Sequence, residues 1–274
     1  MRQDANPVVF GLVAALLTGC VATTTPRIVP GDASSPSQVT PREAIAIAQT
    51  YCKHQWTPFA RNILHGPDAN GVEVNTPDVG YKPPSGRDGW WVPGTVNKGI
   101  PYKWGGFDDP ESFDQGVANG LAAGDAATPA KRKADNAAVS AHAAGVDCSG
   151  FVSRCLKLPT LHDSTMLPSV CDVLPSPYDL RAGDVLNIPK QHAILVAGWA
   201  RPDKSWIYYY ENGGVPEWKP ALKESPIKKL MALGYTPLRY RGMAHAPLPS
   251  DKEVITRAMR EGVVSIADPV VGDP

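Results

Sequence analysis

The sequence has no surplus of charge: 27 Lys and Arg balance 27 Asp and Glu. A chain without a basic excess lacks the electrostatic footprint of a nucleic-acid binder, so no nucleic-acid partner is expected. Charged residues make up only 20% of the chain, below the roughly 25% typical of soluble domains. The apolar run at residues 8–17 falls short of the roughly 20 residues a membrane-spanning helix needs. No CxxC pair occurs, and His54, His65, His142, His162 and His245 are scattered. No metal site is expected from such spacing. A phosphate-binding glycine loop and a dinucleotide fingerprint are missing too, so no cofactor is expected. There is no internal repeat.

What is present is a core-forming composition, 43% hydrophobic over 274 residues, enough for one large domain or two small ones. The 28 prolines are about twice the number that average usage gives, which suggests long ordered loops. Five cysteines leave at least one outside any intramolecular disulfide.

The N-terminus reads as an address. Arg2 gives a thin positive region, residues 8–17 an apolar one, and Leu17-Thr18-Gly19-Cys20 ends it. This segment resembles a bacterial lipobox, with residues 1–19 as signal peptide and Cys20 as the acylated mature N-terminus. Lipid chains would then anchor the chain without a transmembrane helix. The expected place is the cell envelope, on the periplasmic or outer-membrane face. Residues 20–39 are rich in Thr, Pro, Ser and Gly and read as a flexible, lipidated tether.

Thr40-Pro41-Arg42-Glu43 is a helix start, with Thr40 as N-cap and Glu43 closing a capping box. The helix should run to about His54, with Ile45, Ala48 and Cys52 as its apolar stripe. Residues 57–100 are loop-rich, and Trp90 and Trp91 should pack on the core. Residues 118–144 are Ala-rich and can form helix, with Lys131-Arg132-Lys133 as a solvated face. A second helix is expected from Cys148 to about Leu158, ended by Pro159. Strands follow at 184–188, 192–199, 205–211 and 237–241, with a turn at Arg201-Pro202-Asp203-Lys204. Helices first and an antiparallel run of strands after them is an α+β layout. Residues 244–274 read as a peripheral tail. Cys52, Cys155 and Cys171 could include one disulfide, and the sequence does not choose the pair.

The chemistry centres on Gly145-Val146-Asp147-Cys148-Ser149-Gly150-Phe151-Val152. A cysteine at a helix start meets unsatisfied N–H groups and partial positive charge, which favour its thiolate. The same N–H groups can stabilise an oxyanion formed when sulfur attacks a carbonyl. His192 heads an apolar strand and can serve as general base. A two-residue turn at Pro202-Asp203 would set Arg201 opposite Lys204 and Ile194 opposite Glu211. His192, Tyr209 and Glu211 then share a face. A register one residue away would replace Glu211 by Asn212 as the group orienting the imidazole. Both remain open at this point.

Ile100-Pro101-Tyr102-Lys103-Trp104-Gly105-Gly106, Asp147-Cys148-Ser149-Gly150-Phe151-Val152, Ala182-Gly183-Asp184-Val185-Leu186 and His192-Ala193-Ile194-Leu195-Val196 together resemble the NlpC-type papain-like cell-wall cysteine peptidases. The resemblance covers residues 40–243, with extra segments at 57–100 and 107–145. It implies a papain-like fold with N-terminal helices packed on an antiparallel sheet. It also implies Cys148 as nucleophile, His192 as base and Glu211 or Asn212 in the third position. Asp147 and Ser149 would help hold a substrate amine, and Tyr102 would lie beside the cleft. The implied substrate is the stem peptide of peptidoglycan, cut at the γ-D-glutamyl bond to a diamino acid. Two alternatives are an N-acetylmuramoyl-L-alanine amidase or other amide hydrolase on the same fold, and a non-catalytic envelope lipoprotein that binds wall peptides.

The address makes the first testable statement. Cys20→Ala should shift the exported protein from the membrane to the soluble fraction on fractionation. Continued membrane association would rule out anchoring at Cys20.

Overall fold

The computed structural model describes Met1 and residues 37–83, 86–214 and 216–269. Residues 2–36, which include Cys20 and nearly all of the segments read as signal peptide and tether, lie outside the described residues. The chain divides into two units, residues 1–34 and 35–274, and the fold below is that of the second.

Thr40 starts helix α1 (Pro41–Lys53) with a complete capping box: its side chain accepts from the Glu43 N–H, and Glu43 accepts from the Thr40 N–H. Ala44, Ile45, Ala48 and Tyr51 form the buried stripe. Helices α2 (Pro110–Ala118) and α3 (Pro129–Ala134) follow, each with proline in its first turn and a side-chain cap, Asp109 and Thr128. Helix α4 (Cys148–Cys155) is capped by Asp147. Helices α5 (Ile227–Ala232) and α6 (Asp251–Glu261) come late in the chain.

Seven strands form the main sheet: β1 (Cys171–Val173), β2 (Val185–Ile188), β3 (His192–Trp199), β4 (Trp206–Glu211), β5 (Ala221–Pro226), β6 (Thr236–Tyr240) and β7 (Val264–Ser265). Their order is β7-β5-β4-β3-β2-β6-β1. Every pairing is antiparallel except β5 with β7, which is parallel. The fold is therefore α+β, and the sheet is mixed rather than wholly antiparallel.

Both faces of the sheet are covered. Ala193, Leu195, Tyr208, Tyr210 and Leu222 face the core shared with α1 and α4. Phe151 of α4, fully buried, meets Tyr51 edge-to-face at 5.5 Å. Ile194, Val196, Ile207 and Tyr209 face a second core with Ile227 and Leu230 of α5. Double coverage explains why β3 is buried along nearly its whole length.

The β3–β4 hairpin departs from the expected two-residue turn. Ala200 N–H bonds Trp206 O at 2.9 Å, and Lys204 N–H bonds Arg201 O at 3.0 Å. Lys204 sits at φ 55°, so Pro202-Asp203-Lys204 forms a three-residue loop ending in the left-handed region. Its offset is undone further on. Tyr208 pairs with Gly198 but Tyr209 with Val196, which leaves Ala197 as a β-bulge. Beyond the bulge Tyr210 pairs with Leu195, and one further step sets Glu211 opposite Ile194. The expected register thus holds at the end of the hairpin that carries the site.

Three other expectations need correction. Residues 118–144 are not one helix: Gly120 and Gly124, at φ 86° and 91°, break it, and Ala122–Ala123 pairs instead with Ala143–Ala144. Lys131 is not on a solvated face. It is 2% exposed, pairs with Asp125 at 2.8 Å, and donates to the carbonyls of Glu73 and Ala138. The segment read as a peripheral tail supplies α6 and β7. Val254 of α6 is buried and lies where a side chain on Gly198 of β3 would be, within 2.9 Å. Trp91 packs as expected, fully buried beside Trp56 at 5.6 Å. Cys52, Cys148, Cys155 and Cys171 are all free thiols. Among the described residues no helix is long and apolar enough to cross a membrane.

The Asp125–Lys131 pair ties the two extra segments together, since the Asn75 N–H also donates to Asp125 at 3.0 Å. Burial pushes the Asp125 carboxyl up to about 6 despite Lys131 beside it. Lys131→Ala should cost about 3–5 kcal/mol, because it strands a buried carboxylate. Denaturant unfolding should show that loss, and Asp125→Asn/Lys131→Met should recover most of it. A single-variant loss below about 1 kcal/mol would contradict this role.

Candidate active site

Asp147 places Cys148. It adopts an extended backbone at φ −90° and accepts the Gly150 N–H at 2.6 Å, which starts α4 one residue later, at the cysteine. The Ser149 hydroxyl also donates to Asp147 Oδ1, at 2.9 Å. Burial pushes the Asp147 carboxyl up to about 6, against the Gly150 and Ser149 hydrogen bonds and nearby Lys103. Asp147 and Ser149, expected to hold a substrate amine, are thus bonded to each other beneath the helix start.

The glycines of this segment have a packing reason. A Cβ on Gly150 would lie 2.0 Å from the Gly106 carbonyl oxygen, and one on Gly106 would lie 2.5 Å from that of Gly145. The Asp147 N–H donates to Gly106 O at 3.1 Å. Trp104-Gly105-Gly106 and Asp147-Cys148-Ser149-Gly150 are therefore in direct backbone contact, although about 40 residues of chain separate them.

His192 opens β3, with its neighbour across the sheet edge, Ile188, closing β2. Its Nε2 meets Glu211 Oε2 at 2.6 Å, with both side chains more than 90% buried. The Cys148 sulfur lies near enough to act on the same imidazole, and Nδ1 is the ring nitrogen that Glu211 leaves free to face it. Burial alone would lower His192, but the Cys148 sulfur beside it and the Glu211 carboxylate bonded to it outweigh burial and raise it to about 9. Burial would likewise raise Glu211, but Lys223 and His192 hold it down at about 2.

The structure thus brings Cys148, His192 and Glu211 together. Asn212, the alternative third residue, points elsewhere: its Nδ2 donates to Val146 O at 2.6 Å. It braces the chain that leads into Asp147 and Cys148.

Tyr102 lies against this site, 4% exposed, with its ring tilted on Trp218 at 5.3 Å. Gly213, at φ 89°, leaves the room it needs, for a Cβ there would be 2.4 Å from the Tyr102 ring. Arg87, from the first extra segment, stacks on Trp218 at 3.7 Å and donates to Gly213 O at 2.6 Å. Tyr81, Ala126 and Ala127 complete this apolar cluster. Both extra segments therefore wall the site.

Sequence reasoning missed Lys223, Arg87 and Trp218. Lys223 is 1% exposed, on β5, in contact with Glu211 Oε1. Strand β5 reads Ala-Leu-Lys-Glu-Ser-Pro, a polar pattern with no strand signal of its own. Among the described residues no group of three or more His, Cys, Asp or Glu is placed to hold a metal ion.

The arrangement fits a thiol nucleophile, an imidazole and an orienting carboxylate. Glu211→Gln removes a negative charge from His192, so the His192 value should fall from about 9 by about 1–2 units. NMR titration of the histidine ring would measure it, and an unmoved titration would show that Glu211 does not set the imidazole. Because the folded His192 value lies above the ordinary 6.5, its stabilising effect is complete below about pH 6.5 and is lost as pH rises through about 9.

No protein-family model matches this chain, nor does any curated protein or solved structure, so the residues themselves carry the functional reading.

Proposed function

We propose that the protein is an exported cysteine peptidase that hydrolyses amide bonds in peptidoglycan stem peptides. The observation that carries this reading is Cys148, in the first turn of α4, beside an imidazole whose Nε2 is held by Glu211 at 2.6 Å. A cationic imidazole beside a sulfur at a helix N-terminus is the setting in which a thiolate attacks a carbonyl.

In this mechanism Cys148 attacks the amide carbonyl, and N–H groups at the start of α4 stabilise the oxyanion. His192 gives its proton to the leaving amine. The neutral imidazole then takes a proton from water as that water attacks the thioester, which frees the acid and regenerates the thiolate. Glu211 keeps the ring in place through both steps. No cofactor enters.

A papain-like reading of the α+β fold is supported by the order helix-start cysteine, strand-start histidine, next-strand carboxylate. Cell-wall peptide as substrate is supported by the resemblance of residues 100–106, 147–152, 182–186 and 192–196 to the NlpC-type enzymes. Cys148 is only 9% exposed, which suits a slender unbranched peptide better than a folded protein. The γ-D-glutamyl bond to a diamino acid is the bond proposed. Export and lipid anchoring are supported by Leu17-Thr18-Gly19-Cys20.

Purified sacculi incubated with the protein should release stem-peptide fragments whose masses identify the bond cut. Cys148→Ala should release about a thousandfold less or nothing, as expected when a nucleophile is removed. Equal release by wild type and Cys148→Ala would overturn the proposal. Fragments cut at the muramoyl–alanine bond would instead assign an amidase.

A further inference from the structure

Glu211 has two oxygens and two cationic neighbours. Oε2 faces His192 Nε2 at 2.6 Å, and Oε1 contacts the Lys223 ammonium. The strands set this pairing. Lys223 is opposite Tyr209 in the β4–β5 register, while Glu211 is opposite Ala221. Cross-strand partners share a face, so Lys223 reaches Glu211 on the diagonal. Cys148, His192, Glu211 and Lys223 are exposed by 9, 4, 6 and 1% respectively.

We propose that Lys223 is a positioning residue of this site, whose ammonium holds Glu211 as an ionised acceptor turned toward His192 and completes a buried chain of four alternating charges. In the working state the chain reads thiolate, imidazolium, carboxylate, ammonium, and its net charge is zero. Without Lys223 the other three sum to −1 in a place with little water. A buried excess of negative charge draws protons. The thiolate is the member whose protonation ends reactivity.

The other ionisable groups facing the chain are few. Arg87 and Glu217 face Lys223 with opposite signs. Tyr209 and Tyr235 face Glu211. Tyr102 and Tyr235 face Cys148, and Asp147 adjoins it in sequence. Burial raises all three tyrosines above their ordinary range, so they stay neutral and cannot replace the ammonium.

This inference rests on Cys148 as nucleophile, and its test needs no substrate. Alkylation of Cys148 by iodoacetamide, followed by peptide mass spectrometry across pH, reports the thiolate directly. Loss of a neighbouring cation raises the pH at which sulfur loses its proton. In Lys223→Met and Lys223→Gln the acid limb of the labelling profile should move up by about one pH unit, slowing labelling about tenfold at pH 6. Lys223→Arg should label like wild type. A purely structural lysine would lower the melting temperature in Lys223→Gln without moving the limb. An unmoved limb in folded Lys223→Gln or Lys223→Met overturns the proposal. So does failure of both neutral variants to fold while Lys223→Arg folds normally, since the charge would then serve folding alone. If the limb moves but wild type digests no sacculi, the inference stands and the proposed substrate falls.

Discussion

A buried carboxylate organises this structure. Glu211 is withdrawn from water and kept ionised by a cation on each side, His192 from β3 and Lys223 from β5. A carboxylate in that position is costly unless both oxygens are satisfied. Three adjacent strands must therefore hold fixed registers at one end of the sheet. The bulge at Ala197 belongs to that requirement: it cancels the extra residue of the hairpin loop before the strands reach the site. Glu211, once fixed, fixes the imidazole, and the imidazole faces the sulfur.

The second requirement is at the helix start. Asp147 caps α4 through Gly150, and the Gly106 carbonyl lies against the same turn closely enough that Gly150 cannot carry a side chain. The cysteine is thereby held at the end of the helix where N–H groups lack internal partners. The proline-rich segment before the cysteine, 57–100, gives Arg87, Trp90 and Trp91. Residues 107–145 give Asp125 and Lys131. These segments wall the site and are bound to each other through the Asn75 N–H on Asp125, the Lys131 ammonium on Glu73 O, and Trp91 Nε1, which donates to Ala123 O at 3.1 Å.

Much of this was legible in the sequence because local signals and tertiary packing agree. The capping box of α1 lies at Thr40 and Glu43, where the residues place it, and β3 spans His192–Trp199 as its apolar run indicates. Choosing Glu211 over Asn212 depended on the hairpin register, which survived a wrong turn only because the bulge compensates. Illegible features are those where burial overrides polarity. Lys131 and Lys223 look solvent-facing in a one-dimensional reading, and each is buried against a carboxylate, Asp125 of the same segment and Glu211 on the adjoining strand β4. Strand β5 has no strand signal because its inward positions include Lys223 and Ser225 as well as Leu222. The break after α2 follows from two glycines within an otherwise helix-favouring alanine run.

Covalent catalysis through Cys148 is the central claim, and trapping its acyl intermediate tests it most directly. Hydroxylamine competes with water for a thioester and leaves a hydroxamate on the acyl product. During cleavage of isolated stem peptides, hydroxylamine should convert a rising share of the new carboxyl ends to hydroxamate, as read by mass spectrometry. Cleavage that yields only free carboxylate at every hydroxylamine concentration would contradict a thioester on Cys148.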